Sequence, residues 1–135
     1  MPTNECTPLY RGGVADLTGH TTGAVTGGTF VAISNDLQST PLLNSTTSGG
    51  NIRVATATAG GQAFGVAAYD AASGKKVAII RKGNTVPMVA DGAITAGNLI
   101  EVGTAGKAKA NASGVVVGKA ISTATSGAVV YVEIA

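Results

Sequence analysis

From Val14 to the end of the chain, short apolar runs alternate with clusters of glycine, serine, threonine and asparagine. The apolar residues nowhere recur at the i, i+3, i+4 and i+7 positions that would gather them on one face of a long helix. Short apolar runs bounded by turn-forming residues are typical of β-strands. The pattern therefore predicts an all-β fold.

The chain repeats two of its stretches. GAVTGG, which begins at Gly23, aligns with GAITAG, which begins at Gly92. Further along, FGVAAYDAASGKKVAII from Phe64 aligns with VGKAISTATSGAVVYVE from Val117. The first offset is 69 residues and the second is 53, so the first copy carries 16 extra residues between its two blocks.

These alignments predict a single β domain over residues 13–135, built from two tandem β repeats. The first repeat spans about residues 13–81, with a loop insertion near 35–51, and the second spans 82–135. The insertion is rich in proline, glycine, serine and threonine, which is typical of a surface loop.

Residues 1–12 form a different kind of segment. Pro2 and Pro8 lack the backbone N–H that a sheet needs and favour extended backbone. We expect an extended N-terminal arm, which could reach about 35–40 Å at about 3.3 Å per residue.

Strand parity indicates which side chains point away from the core. Because side chains alternate between the faces of a strand, a charged residue opposite an apolar set marks the outward face, and Glu101 and Glu133 hold that position. The first-copy equivalent of Glu133 is Ile80, and Tyr131 lies on the same face as Glu133. We expect Ile80 and Tyr131 to point outward, and we predict both as contacts between subunits, since outward apolar residues indicate an interaction surface.

Composition also favours association. Apolar residues make up 44% of the chain, but only 4% is aromatic and tryptophan is absent. The core is therefore built mostly from small side chains that bury little area each, at about 25 cal/mol per Å². Twenty glycines further raise the entropy of the unfolded chain. We expect an oligomer for this reason.

Charge and hydropathy restrict the partners. Nine Lys and Arg against seven Asp and Glu give a net charge of +2, without a basic stripe that would bind nucleic acid. The sequence offers no run of about 20 apolar residues for a membrane span, and its start lacks the basic and apolar regions of a signal peptide. We expect neither a nucleic-acid nor a membrane partner, and synthesis in the cytoplasm.

No group of residues has the spacing that catalysis or metal binding requires. Cys6 is the single cysteine and His20 the single histidine. The sequence lacks a nucleophile elbow and spaced carboxylate pairs, and the Lys of GVVVGKA is not followed by Ser or Thr as a phosphate loop requires. We predict no enzyme activity, no catalytic residues, no cofactor and no metal site.

The extended start, followed by an Ala/Gly/Thr/Val-rich β domain carrying DGAITAGNLIEV, FGVAAYDAASGKKVAI and VVGKAISTATSGAVVYVEIA, resembles the head decoration proteins of tailed phages, also called capsid cement proteins. The resemblance covers about residues 23–135. It implies a small β-barrel or β-sandwich that forms homotrimers, binds the major capsid protein on the outer surface of the head and stabilises the mature shell. It also implies synthesis in the host cytoplasm and no cofactor.

On this interpretation the arm contacts the capsid through Pro8, Leu9, Tyr10 and Arg11, because Tyr and Arg often anchor interfaces and an extended segment can add a strand to an exposed sheet edge. Two alternatives stay open. One is another structural module of a virion or surface, such as a fibre base or adhesin, and the other is a small-molecule-binding β-barrel.

Overall fold

The computed structural model describes residues 5–36 and 52–135. These residues form strands and one 3-10 turn, Thr104–Gly106, without an α-helix. The strands are β1 (Tyr10–Arg11), β2 (Leu17–Thr21), β3 (Phe30–Ile33), β4 (Ile52–Thr56), β5 (Gly65–Ala67), β6 (Lys76–Ile80), β7 (Asn84–Val89), β8 (Leu99–Val102), β9 (Ala108–Ala110), β10 (Gly118–Ala120) and β11 (Val129–Ile134). The predicted all-β fold is confirmed. Most of the predicted insertion near 35–51 lies outside the described residues.

Strands β2 to β6, here called the first half, form a closed barrel in the order β2-β4-β3-β5-β6. The closing pair, β2 with β4, is parallel, and the remaining pairs are antiparallel. A closed barrel leaves no unpaired sheet edge.

Strands β7 to β11, the second half, form an antiparallel sheet to which β1 adds an edge strand, in the order β1-β7-β11-β10-β8-β9. A single parallel bridge between Ala90 and Ala108 joins the ends of this sheet. It corresponds to the parallel pairing of Thr21 with Val54 in the first half. The second half is thus a looser version of the same barrel.

The pairings of the two halves correspond position by position. Val66 pairs with Ile80 in the first half, and Lys119 pairs with Glu133 at the equivalent place in the second. Two isolated bridges, Val25 with Ala71 and Ile94 with Ala124, are related by the same offsets of 69 and 53 residues. This agreement supports the interpretation of two tandem repeats.

The glycines before β3 and β8 allow the backbone turn that leads into each of those strands. Gly28 has φ of 77° and Gly97 has φ of 93°. Residues that carry a side chain adopt such positive φ values only with strain. The N–H of Gly28 donates to the carbonyl of Ala67, and that of Gly97 to the carbonyl of Ala120, both at 2.8 Å. The repeated GAVTGG and GAITAG sequences therefore encode the same turn.

Two apolar clusters fill the molecule. The smaller one fills the interior of the first barrel. Its buried members are Val25, Val31, Val54, Ala67, Val77 and Ile79. The larger cluster contains the inner face of the second half, together with side chains from the outer face of the first half.

Phe30, Val66 and Ile80 form the row by which the first half joins the larger cluster. They are cross-strand neighbours on β3, β5 and β6, on the opposite face from the interior residues Val31 and Ile79. All three are 0% exposed. We call them the buried row, and it joins the two halves through one continuous core.

The predicted outward exposure of Ile80 is wrong. Ile80 does face away from the interior of its own barrel, as the equivalence with Glu133 implied. The second half covers that face, so Ile80 lies in the shared core and is not available to another subunit. Strand parity identifies a face, but it does not reveal what packs on it.

Residues 5–11 lie along both halves in extended conformation. The Cys6 N–H donates to the carbonyl of Ala68 at 2.7 Å, and the Leu9 N–H donates to the carbonyl of Thr85 at 2.7 Å. Tyr10 and Arg11 then pair with the edge of β7 as β1. This segment therefore connects the first half to the second.

The buried row gives a matched test, since Phe30 and Leu99 are equivalent positions in the two halves. We expect Phe30→Ala to lower the free energy of unfolding by about 3–5 kcal/mol, because it opens a cavity in the shared core. Leu99 is 49% exposed, so we expect Leu99→Ala to cost less than about 1 kcal/mol. Denaturant unfolding of both variants measures the difference, and similar losses would contradict the assigned packing.

Candidate interaction surface

An apolar face on the second half is exposed to solvent. Val89 pairs with Val129, Pro87 pairs with Tyr131, and Ile121 donates its N–H to the Tyr131 carbonyl at 2.9 Å. Val129 is 54% exposed, Ile121 46% and Val89 40%, while Pro87 and Tyr131 are half-buried. We call these five residues the outer patch.

The fold itself does not require apolar side chains there. The equivalent positions in the first half have the same pairing, Thr18 with Ala78 and His20 with Lys76, and Ala68 donates to the Ala78 carbonyl as Ile121 does to that of Tyr131. These residues are polar or small. An apolar cluster on an exposed sheet face indicates an interaction surface.

An exposed row that includes two charged residues borders the outer patch. Leu99, Lys119 and Glu133 are cross-strand neighbours at the positions equivalent to the buried row, and all three are exposed. Thr85 extends this row to Tyr10 of β1. The second half thus has an exposed row, with Lys119 and Glu133 in it, where the first half has its buried row.

Tyr131 lies in the middle of the outer patch. The backbone N–H of Tyr131 donates to the Ser122 hydroxyl at 2.9 Å, which holds β11 beside the turn that contains Ser122. Of the two residues predicted to contact another subunit, Tyr131 remains accessible and Ile80 does not.

The four arm residues predicted to contact a capsid lie along the β7 edge of the second half. Leu9 is 48% exposed and Tyr10 62% exposed, whereas Pro8 is half-buried. The Arg11 guanidinium lies 3.3 Å from the Asp16 carboxylate. The backbone of Leu9, Tyr10 and Arg11 is hydrogen-bonded to β7 of the same chain, so the side chains of these residues are the groups available to a partner.

Cys6 is a core residue with little reactivity. Its thiol is buried and lies 3.6 Å from the carbonyl of Pro87. Burial raises the pKa of Cys6 to about 11, and the nearby Arg11 opposes this shift. Because the thiolate is the nucleophile, this thiol is held in its unreactive form.

Glu101 is buried, which corrects the prediction that it marks a solvent-facing side. Its Oε2 accepts the backbone N–H groups of Ala112 at 3.0 Å and Gly114 at 2.6 Å, and the side-chain amide of Asn111 at 3.2 Å. Lys109 Nζ lies 3.7 Å from Oε1. The 111–114 loop covers the carboxylate and supplies the hydrogen bonds that a buried charge requires.

These hydrogen bonds change the acidity of Glu101. The backbone N–H groups of Ala112 and Gly114 favour the ionised form and lower the pKa of the carboxyl below its usual 4.5, although burial opposes the shift. The carboxylate therefore holds the 111–114 loop against β8.

A cleft of about 330 Å³ lies next to this loop, with Asp91, Glu101 and Lys109 among its lining residues. Asp91 Oδ2 accepts the N–H of Thr104 at 2.8 Å, so both carboxylates are engaged with backbone. Within residues 5–36 and 52–135, no three His, Cys, Asp or Glu side chains are grouped as a metal site would need. The described part of the chain also has no helix of a length and apolarity that could cross a membrane.

The fold has a known counterpart. The N base of the head fibre protein gp8.5 of bacteriophage phi29 superimposes with a TM-score of 0.67 and 20% sequence identity, over 90% of this chain and 93% of that one. The architecture of a closed barrel joined to a second sheet is therefore one that the N base of a phage head fibre also has.

Residues 12–134 match the phage cement proteins, and the chain belongs to this family. None of the curated proteins compared with the chain matches it. Family membership makes the chain a structural protein of a phage virion and implies binding to the capsid. It also implies a role without catalysis.

Glu101 gives a pH-dependent prediction. A carboxyl whose pKa is lower in the folded state contributes stability above the unfolded pKa of about 4.5, and that contribution is lost as pH falls through the lowered value. We expect Glu101→Gln to be less stable than the parent at neutral pH, with the difference shrinking below pH of about 4.5.

Denaturant unfolding from neutral to acidic pH measures this dependence. Glu5→Gln is the control, because Glu5 is an exposed glutamate outside the 111–114 loop. A stability difference for Glu101→Gln that does not vary with pH would contradict a role for the ionised carboxylate in holding the loop.

Proposed function

We propose that this chain is a decoration protein that binds the outer surface of the mature phage capsid and stabilises the shell. Its match to the phage cement proteins over residues 12–134, which includes every strand except β1, carries this proposal. The interior of the first barrel supports it as well, because six apolar side chains occupy the space that a small-molecule ligand would need.

The protein acts by mass action. A protein that binds the mature shell, but not the shell that precedes it or its dissociated subunits, lowers the free energy of the mature state by its binding free energy. Many equivalent copies add their contributions over the shell. The chain then needs an interaction surface and no catalytic group.

The arm side chains form the capsid contact in this proposal. Leu9 and Tyr10 are the exposed apolar residues of the segment, and the pairing of β1 with β7 holds them in a defined position. A side chain positioned in advance loses less conformational entropy on binding. Pro8 and Arg11 complete the contact.

The chain also associates with itself, as a homotrimer, in this proposal. Tyr131 is at the centre of the outer patch, an apolar surface that the fold leaves uncovered on the second half. The complex is made in the host cytoplasm and is located on the outside of the virion.

A base that attaches a fibre to the head is the second candidate. The likeness in fold to the phi29 head fibre N base favours it. The two functions differ in their effect on the shell, since a cement protein raises the temperature at which heads rupture, whereas a fibre base leaves that temperature unchanged.

Mixing purified protein with mature heads that lack it tests the proposal. We expect added density on the outer surface by cryo-electron microscopy and a higher temperature of head rupture. Added density without any change in rupture temperature would favour the fibre base, and the absence of added density would contradict both functions.

The arm contact has its own prediction. We expect Leu9→Ala and Tyr10→Ala each to weaken binding to heads by at least about tenfold, the loss that about 1.4 kcal/mol at an interface anchor produces. Val116→Ala is the control, because Val116 is 42% exposed and lies in the segment between β9 and β10. Point variants are preferable to deletion, since Cys6 lies in the core. Unchanged occupancy for both arm variants would contradict the arm contact.

A further inference from the structure

Lys119 and Glu133 are opposite charges placed side by side without an ion pair between them. They are directly paired on β10 and β11, so their side chains leave the sheet on the same face. Across the described ranges, the ion pairs are Arg11 with Asp16 and Lys109 with Glu101. Both Lys119 and Glu133 are exposed and available to another molecule.

The two charges border the outer patch. Lys119 lies two residues before Ile121, and Glu133 lies two residues after Tyr131. One face therefore combines uncovered apolar side chains with one positive and one negative group at neighbouring positions. Such a face is complementary in charge to a rotated copy of itself, because the Lys119 of one copy can meet the Glu133 of the next.

A comparison with the equivalent positions of the first half shows that the charged pair and the outer patch are features of the second half alone. At the positions equivalent to Lys119 and Glu133, Val66 and Ile80 are covered within the chain. At the positions equivalent to the outer patch, the first half carries polar or small side chains. The apolar row of the first half is thus covered by the chain itself, whereas the outer patch of the second half is not.

We propose that the outer patch is the contact between copies of this chain, and that Lys119 of one copy forms an ion pair with Glu133 of its neighbour across it. This inference deepens the proposed self-association, and it does not depend on binding to a capsid. A capsid subunit on the same face is the alternative occupant, and the experiment below distinguishes it.

Charge reversal tests the pairing in the absence of heads. Lys119→Glu leaves two negative groups on the face and Glu133→Lys leaves two positive groups. We expect each variant alone to associate at least about tenfold more weakly than the parent in sedimentation and native mass spectrometry, because like charges meet at every contact. Lys107→Glu makes the same charge change at an exposed position outside the patch and serves as the control.

Mixing the two reversed variants separates contacts between copies from effects within one chain. A mixed complex restores opposite charges at every contact of a pair and at most contacts of a ring of three, whereas repulsion within a chain is unaffected by mixing. We expect association to return in the mixture, and complexes containing both variants to predominate over complexes of one variant.

Three results would overturn the proposal. One is association of the single variants at the parental level, and another is failure of the mixture to recover. The third is a parent protein that stays monomeric while Lys119→Glu and Val129→Asp lose binding to heads, which would assign the face to the capsid. Loss of head binding through the arm variants, with association intact, would leave the contact between copies standing.

Discussion

The structure depends on the burial of one row of side chains, Phe30, Val66 and Ile80, between the two halves. The strands of each half pair mainly with one another, and a single bridge joins the two ends of the second-half sheet. The inner face of the second half shares a core with the buried row. The outer face of one barrel therefore completes the interior of the other. The two halves are equivalent in strand pairing but not in packing.

This asymmetry determines which surfaces remain for partners. The apolar row on the outer face of the first half packs against the second half. The positions of the first half that are equivalent to the outer patch are polar or small. The second half has Lys119 and Glu133 in the equivalent row and carries apolar residues in the neighbouring positions instead. The covered and uncovered apolar areas thus lie in different rows of the same strand framework, and a phage structural protein can use the uncovered one for assembly.

Sequence reasoning predicted the all-β fold and aligned strand positions that have equivalent pairings, because glycine turns and side-chain alternation are local properties. It failed for Ile80 and Glu101, since the covering groups, the second half and the 111–114 loop, come from elsewhere in the chain. Val129 and Val89 were missed as exposed residues. The alternation of Val129, Tyr131 and Glu133 along β11 was the available signal for Val129, whereas the exposure of Val89 depends on its pairing with β11.

The closed first barrel and the short edge strand β1 have a consequence for crowding. Proteins held side by side at high local concentration are prone to join through unpaired strand edges, which offer free N–H and C=O groups. Here the first barrel offers no such edge, and the two edge strands of the second half, β1 and β9, are only two and three residues long. Neighbouring molecules on a densely covered surface can therefore touch through side chains without merging into a continuous sheet.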